Sequence, residues 1–282
     1  MAKRTQRTKQ KDINKRISSG CGQGRGIDYK PAIWVQDFSS RGRSSQSKGW
    51  KTGRIHHFFS LLEERYFLAL EWSPIVLDIR EQFPLEQKET LEIALKCGFK
   101  HPVNPDTGLL NVMTTDFFVT IAGTMGVIDQ ARTVKPSSEL QKPRVLEKLE
   151  IERRYWESHG ISWAVVTEHD IPEELVENVK WLHNFFYVED LSPLSERDIC
   201  QITAIITCGV IMGEASLRDI AAECDDRLCL EPGNSLTVAR HLIANRKWLI
   251  DMNQPLSTQF RKKLMLLATP SVEHDQVRRD AG

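Results

Sequence analysis

The chain has 282 residues, 40% of them hydrophobic and 27% charged, with 38 Lys and Arg exactly balanced by 38 Asp and Glu. These proportions exclude a disordered polymer, and no apolar run approaches the ~20 residues of a membrane span. The leading MAKRTQRTKQK has no apolar segment behind its basic one, so a cytoplasmic protein without a secretory signal is expected.

The overall neutrality hides an asymmetry. Residues 1–60 carry fourteen Lys and Arg against three Asp, a net of +11. A basic arm over 1–53, with Arg41, Arg43, Lys48, Lys51 and, at its edge, Arg54, suits a polyphosphate partner; charge alone fits a solvated tail equally well. GCGQGRG at 20–26 lacks the G-K-[ST] of a phosphate loop and reads as linker. The six cysteines form no C-x-x-C pair and read as reduced thiols rather than a zinc site.

In chain order, the spacing predicts a helix from about Ile55 to Trp72. A strand follows within 73–85, where Ile75, Leu77 and Ile79 alternate with Val76, Asp78 and Arg80 as in a half-buried strand. KETLEIALKCGF is a short helix. Strands at about 112–121 and 127–135 flank AGTMG, a hairpin turn. A helix from Pro143 to Ser158 opens on proline and hands over to the strand ISWAVVT, 161–167. Beyond Thr167 the pattern turns helical, with segments at 195–212, 216–228 and about 235–246, and a short strand within 247–256 that would complete a winged helix. The expected domains are the arm 1–53, a mixed α/β domain 54–170, a smaller mostly helical winged-helix-like domain 171–270 and a tail 271–282.

Charges in apolar positions point to chemistry. Asp116 sits within the apolar strand MTTDFFV, sharing a face with Phe118, while Thr115 and Phe117 share the other. Thr133 and Lys135 face one way on the next strand, which Pro136 ends. The hairpin therefore brings Asp116 and Lys135 together. Glu63 lies within about 60° of Phe59, Tyr66, Phe67 and Leu70 on a helical wheel, and Glu152 interrupts the stripe Val145, Leu149, Trp156. Taken singly, each is an ordinary surface charge. Jointly, carboxylates with a lysine suit a metal-dependent phosphodiesterase, since hard Mg²⁺ takes oxygen ligands and supplies the buried charges with a partner.

Glu in a helix, Asp in a strand and a lysine closing the next strand resembles the restriction-endonuclease-like fold and its PD-(D/E)xK signature. The segments KTGRIHHFFSLLE, EWSPIVLDIREQFPL, KHPV, TTDFFV, VKP and LEKLEIERRYW narrow this to a similarity with TnsA endonuclease subunits of heteromeric cut-and-paste transposases, over about residues 20–170. The resemblance implies that Glu63, Asp116 and Lys135 are catalytic, that Glu63, Asp116 and the Val134 carbonyl bind Mg²⁺ or, in its place, Mn²⁺, and that Thr133 and Glu152 are secondary site residues. Thr133 departs from the Gln or acidic residue typical of its position, a weaker ligand. It also implies transposon-end DNA as substrate, 5′-strand hydrolysis leaving a 5′ phosphate and a 3′ hydroxyl, a TnsB-like transposase of the integrase type and a TnsC-like AAA+ regulator as partners, and no membrane. The alternative is a catalytically weak nuclease-fold adaptor that binds DNA and links those partners.

Overall fold

The computed structural model describes residues 18, 20–34, 44–104 and 108–267. Arg41 and Arg43, most of the basic arm and the tail 271–282 lie outside the described residues. The chain divides into two units, Met1–Ile171 and Pro172–Gly282.

In the first unit, the described end of the arm is a strand rather than irregular chain. β1 (Ser45–Lys48) pairs antiparallel with β2 (Ile55–Phe58), Ser45 opposite Phe58. The connecting turn admits no side chain at Gly49, where a Cβ would lie 2.6 Å from His56 Nε2. The helix expected from Ile55 therefore starts later, as α1 (Leu61–Trp72), because the Ser60 hydroxyl accepts the Glu63 N–H and caps it.

β3 (Val76–Pro84), β4 (Thr114–Gly123), β5 (Gly126–Val134) and β6 (Ser162–Val166) form a four-stranded mixed sheet in that order. β3, β4 and β5 are antiparallel neighbours, and β6 runs parallel to β5. That parallel step needs a crossover, supplied by α3 (Pro143–Ser158); α2 (Gln87–Lys96) packs beside it. One face of the sheet meets α1 through Phe117, Phe58, Tyr66 and Phe67. The other carries Phe118 and Ala131 against Tyr155 and Trp156 of α3. Helices on both faces of a mixed sheet are the restriction-endonuclease-like arrangement expected.

β3 departs from simple alternation. Ile75 and Leu77 are 51% and 47% exposed, whereas Asp78, Arg80, Glu81 and Gln82 are all buried. Burial of these charges is made tolerable by pairing: Arg80 meets Asp78 at 3.2 Å and Asp129 at 2.9 Å and donates to the Thr120 hydroxyl at 2.7 Å.

The second unit is mainly helical: α4 (Glu173–Leu182), α5 (Glu196–Met212), α6 (Leu217–Leu228), α7 (Asn234–Ala244) and the short α8 (Leu256–Gln259). Ser195 and Asp198 form a reciprocal capping box on α5, and Ser216 caps α6 through the Asp219 N–H. The strand expected within 247–256 does not form; the Leu249 carbonyl accepts the Leu267 N–H at 2.7 Å. The reason is Asn178 on α4. Its buried amide donates to the carbonyls of Met252 and Gln254, each at 2.9 Å, and accepts the Leu256 N–H at 3.0 Å, consuming the groups a ladder would use. No helix among the described residues is long and apolar enough to cross a membrane.

Candidate active site

Asp116, Lys135, Glu63 and Glu152 come from four different elements and interact. Lys135 Nζ donates to Asp116 Oδ2 at 2.8 Å, and the Val134 N–H donates to the same oxygen at 2.8 Å. A side chain thus takes the ladder position that β4 would have filled with its backbone. The β4–β5 pairing accordingly runs only from Phe117 opposite Arg132 outward. Lys135 itself lies one residue beyond β5, its N–H bonded to the Val166 carbonyl, and Nζ also donates to the Val134 carbonyl at 2.9 Å.

The side-chain alternation of β4 slips here. Thr115 and Phe118 both meet Trp156, the first accepting its indole N–H at 2.7 Å and the second stacking on it at 4.8 Å, while Phe117 faces Tyr66 of α1. Strict alternation would have grouped Thr115 with Phe117. On the neighbouring strand Gln82 takes φ +48°, a costly conformation for a side-chain-bearing residue, between the pairs Glu81–Phe117 and Phe83–Thr115.

Glu63 is buried at the third position of α1, where its carboxylate accepts the Phe59 N–H (3.0 Å), the Ser60 hydroxyl (2.9 Å) and, at 3.5 Å, the Gln82 amide. Capping alone would account for this residue, were it not for its surroundings. Burial first and the charge of Asp116 second push its carboxyl up to about 7. Glu152 is likewise pushed up to about 7, by burial and then by Asp116, although the Thr115 and Thr133 hydroxyls bond it. Burial would lower the Lys135 ammonium, but Asp116 outweighs it and Glu152 and Glu63 add to the rise, so the group stays charged.

Three buried carboxyls thus act electrostatically on one ammonium, which contacts only Asp116 among them, a deficit of positive charge that protons or a cation must make good. The donor chemistry fits Mg²⁺: two carboxylates, Glu63 and Asp116, and the Val134 carbonyl are hard oxygens. Among the described residues no group of three His, Cys, Asp or Glu side chains is placed to hold a metal ion by itself, so a cation here would need the Val134 carbonyl, water or phosphate as further ligands.

Comparison with known proteins shows the family. A model of the TnsA-like endonuclease N terminal matches residues 73–168, which include Asp116, Lys135 and Glu152, and a model of the TnsA endonuclease C terminal matches residues 170–252. Transposon Tn7 transposition protein TnsA of Escherichia coli is 40% identical over 246 residues, 87% of each chain. The chain belongs to the TnsA family. It is an endonuclease subunit of a transposase, and the adaptor reading is not favoured. Glu63 lies just ahead of the stretch matched to the TnsA N-terminal model, so its assignment rests on geometry and on the longer similarity.

The remaining expected site residues divide. Thr133 donates its hydroxyl to Glu152. Lys48 ends β1 and is exposed; Lys51 lies in the turn, its N–H directed at Glu71. Arg54 is a correction. Only 9% exposed, it grips Glu81 through both terminal nitrogens, donates to the Ile79 carbonyl at 2.8 Å and lies 5.0 Å over the Tyr29 ring, so it serves the fold rather than a phosphate backbone. Gln82 and Thr115 were not foreseen. Neither has a sequence signal, since Gln82 enters from a positive-φ position on β3 and Thr115 through the slipped alternation of β4.

Proposed function

We propose that this TnsA-family chain is a Mg²⁺-dependent endonuclease that hydrolyses the 5′ strand at each end of a mobile DNA element and so completes its excision. The observation that carries this reading is the Asp116–Lys135 contact at 2.8 Å, with the charge of Asp116 acting on the buried Glu63 carboxyl.

Glu63, Asp116 and the Val134 carbonyl would hold Mg²⁺, with Mn²⁺ able to substitute. When bound, the cation supplies positive charge against the scissile phosphate and lowers the pKa of attacking water. The chain's own groups do the rest. Asp116 orients Lys135, whose ammonium donates to the incoming water or to a phosphate oxygen as charge accumulates there. Ser60, the Phe59 N–H and Gln82 fix the Glu63 carboxylate. A bond forms from water oxygen to phosphorus and the bond from phosphorus to the 3′ oxygen breaks, leaving a 5′ phosphate and a 3′ hydroxyl that takes up the proton. Lys48 and Lys51, with Arg41 and Arg43, would meet the DNA backbone. A TnsB-like transposase would cut and join the other strands, and a TnsC-like AAA+ regulator would contact this subunit, all in the cytoplasm.

Strand-resolved mapping of cleavage on DNA bearing both element ends tests the proposal, with and without the TnsB-like partner, in Mg²⁺, Mn²⁺ and EDTA. Nicks on the 5′ strands in either cation and none in EDTA are expected. Undiminished cutting in EDTA, or cuts on the 3′ strands alone, would overturn it.

A further inference from the structure

Glu152 is held unlike the other two carboxyls. Its Oε1 accepts the Thr115 hydroxyl at 2.6 Å and also the Thr133 hydroxyl. Each hydroxyl in turn accepts an indole N–H, from Trp156 at 2.7 Å and from Trp163 at 3.3 Å. A hydroxyl has a single proton to give, and an N–H arriving on its oxygen leaves that proton for the carboxylate. Both relays therefore run one way, from indole through hydroxyl to Glu152. Thr115 and Thr133 are 0% and 2% exposed, so water does not stand in for either. Thr115 reaches Glu152 only because β4 slips at Asp116, which ties this relay to the geometry of the catalytic strand.

We propose that Thr115 and Thr133 are positioning residues: a two-hydroxyl clamp that fixes Glu152 as the third acidic group acting on the cation site. Thr133 then works through Glu152 and is not itself a ligand, which accounts for a hydroxyl at a position where a stronger oxygen donor is expected. The proposal rests on the cation-dependent reading above.

The test is calorimetric titration of Mg²⁺ and of Mn²⁺ into the full chain without DNA, alongside cleavage rates, with folding checked by circular dichroism. Thr115→Val and Thr133→Val should each weaken cation affinity about 10–100-fold. Thr115→Ser and Thr133→Ser should retain it, and neither Val substitution should add to the loss in a Glu152→Gln background. Trp163→Phe, which leaves the buried threonines in place, should weaken affinity about fivefold; this variant decides the matter if a Val variant does not fold. Wild-type affinity in Trp163→Phe or in the folded Val variants overturns the clamp. So does a loss confined to Thr133→Val, or one that persists without Glu152, since either makes Thr133 a direct ligand. A wild-type chain that binds neither cation defeats the cation-dependent reading itself.

Discussion

Lys135 Nζ and Asp116 Oδ2 lie 2.8 Å apart across the open end of the β4–β5 hairpin, where the Asp116 side chain has replaced a rung of the sheet. The lysine is therefore the charge partner of Asp116 and, in the proposed reaction, a donor to the scissile phosphate. Lys135→Ala is expected to slow single-turnover cleavage by at least about 10²-fold and to leave the fold intact, because Val134 still donates to Asp116. A wild-type rate in Lys135→Ala would remove the lysine from the chemistry.

Glu63 carries a pH signature. Its carboxyl rises from 4.5 to about 7 in the folded state, so between those values the native protein holds a proton that the unfolded chain has released. Stability in cation-free buffer should fall as pH rises through this window, the penalty being complete above about 7 and on the order of 3 kcal/mol for this group. Glu63→Gln should flatten that fall, with the similar contributions of Glu152 and Glu71 remaining. Thermal melts from pH 4.5 to 8 in chelator check this; equal slopes for the two proteins contradict it.

Arg54 separates a structural role from a DNA-binding one. Its loss strands Glu81, 1% exposed, with His56 as the remaining side-chain partner among its described bonds. Arg54→Ala should destabilise the first unit by about 3–5 kcal/mol, read from urea unfolding. Unchanged stability with weakened DNA binding would restore Arg54 to the basic arm.

Lys48 and Lys51 report on DNA instead. Replacing either by Ala is expected to weaken binding to all DNA sequences alike and lower the slope of log affinity against log salt by about 1. Binding measured between low and moderate salt distinguishes this from a sequence-selective loss, which would make the residue a base reader.

Much of the site was legible because it depends on local periodicity. The AGTMG turn and the hairpin it closes bring Asp116 to Lys135, although alternation slips at Asp116, and proline at the first position of α3 marks that helix, which puts Glu152 on an inward face. What escaped depends on tertiary pairing. Ile55–Phe58 looked like the first turn of a helix, although Ser60 followed three residues later by Glu63 carried a capping signal that separates strand from helix. Arg54 and Arg80 looked solvent-facing because charge usually is; Glu81, which Arg54 grips, is 27 residues away, and Asp129, which Arg80 meets, is 49 residues away on another strand. The Gln82 amide enters from a positive-φ residue of β3 and the Thr115 hydroxyl through a slip in β4, neither of which a composition rule announces. The wing strand failed because one asparagine, Asn178, claims its backbone.

The most direct test of the account is strand-resolved cleavage by Asp116→Ala in the presence of the TnsB-like partner and Mg²⁺. The account predicts that 5′-strand nicks disappear while the partner's 3′-strand cuts continue. Nicking of the 5′ strands at the wild-type rate would show that the carboxylate paired with Lys135 is not part of the active site.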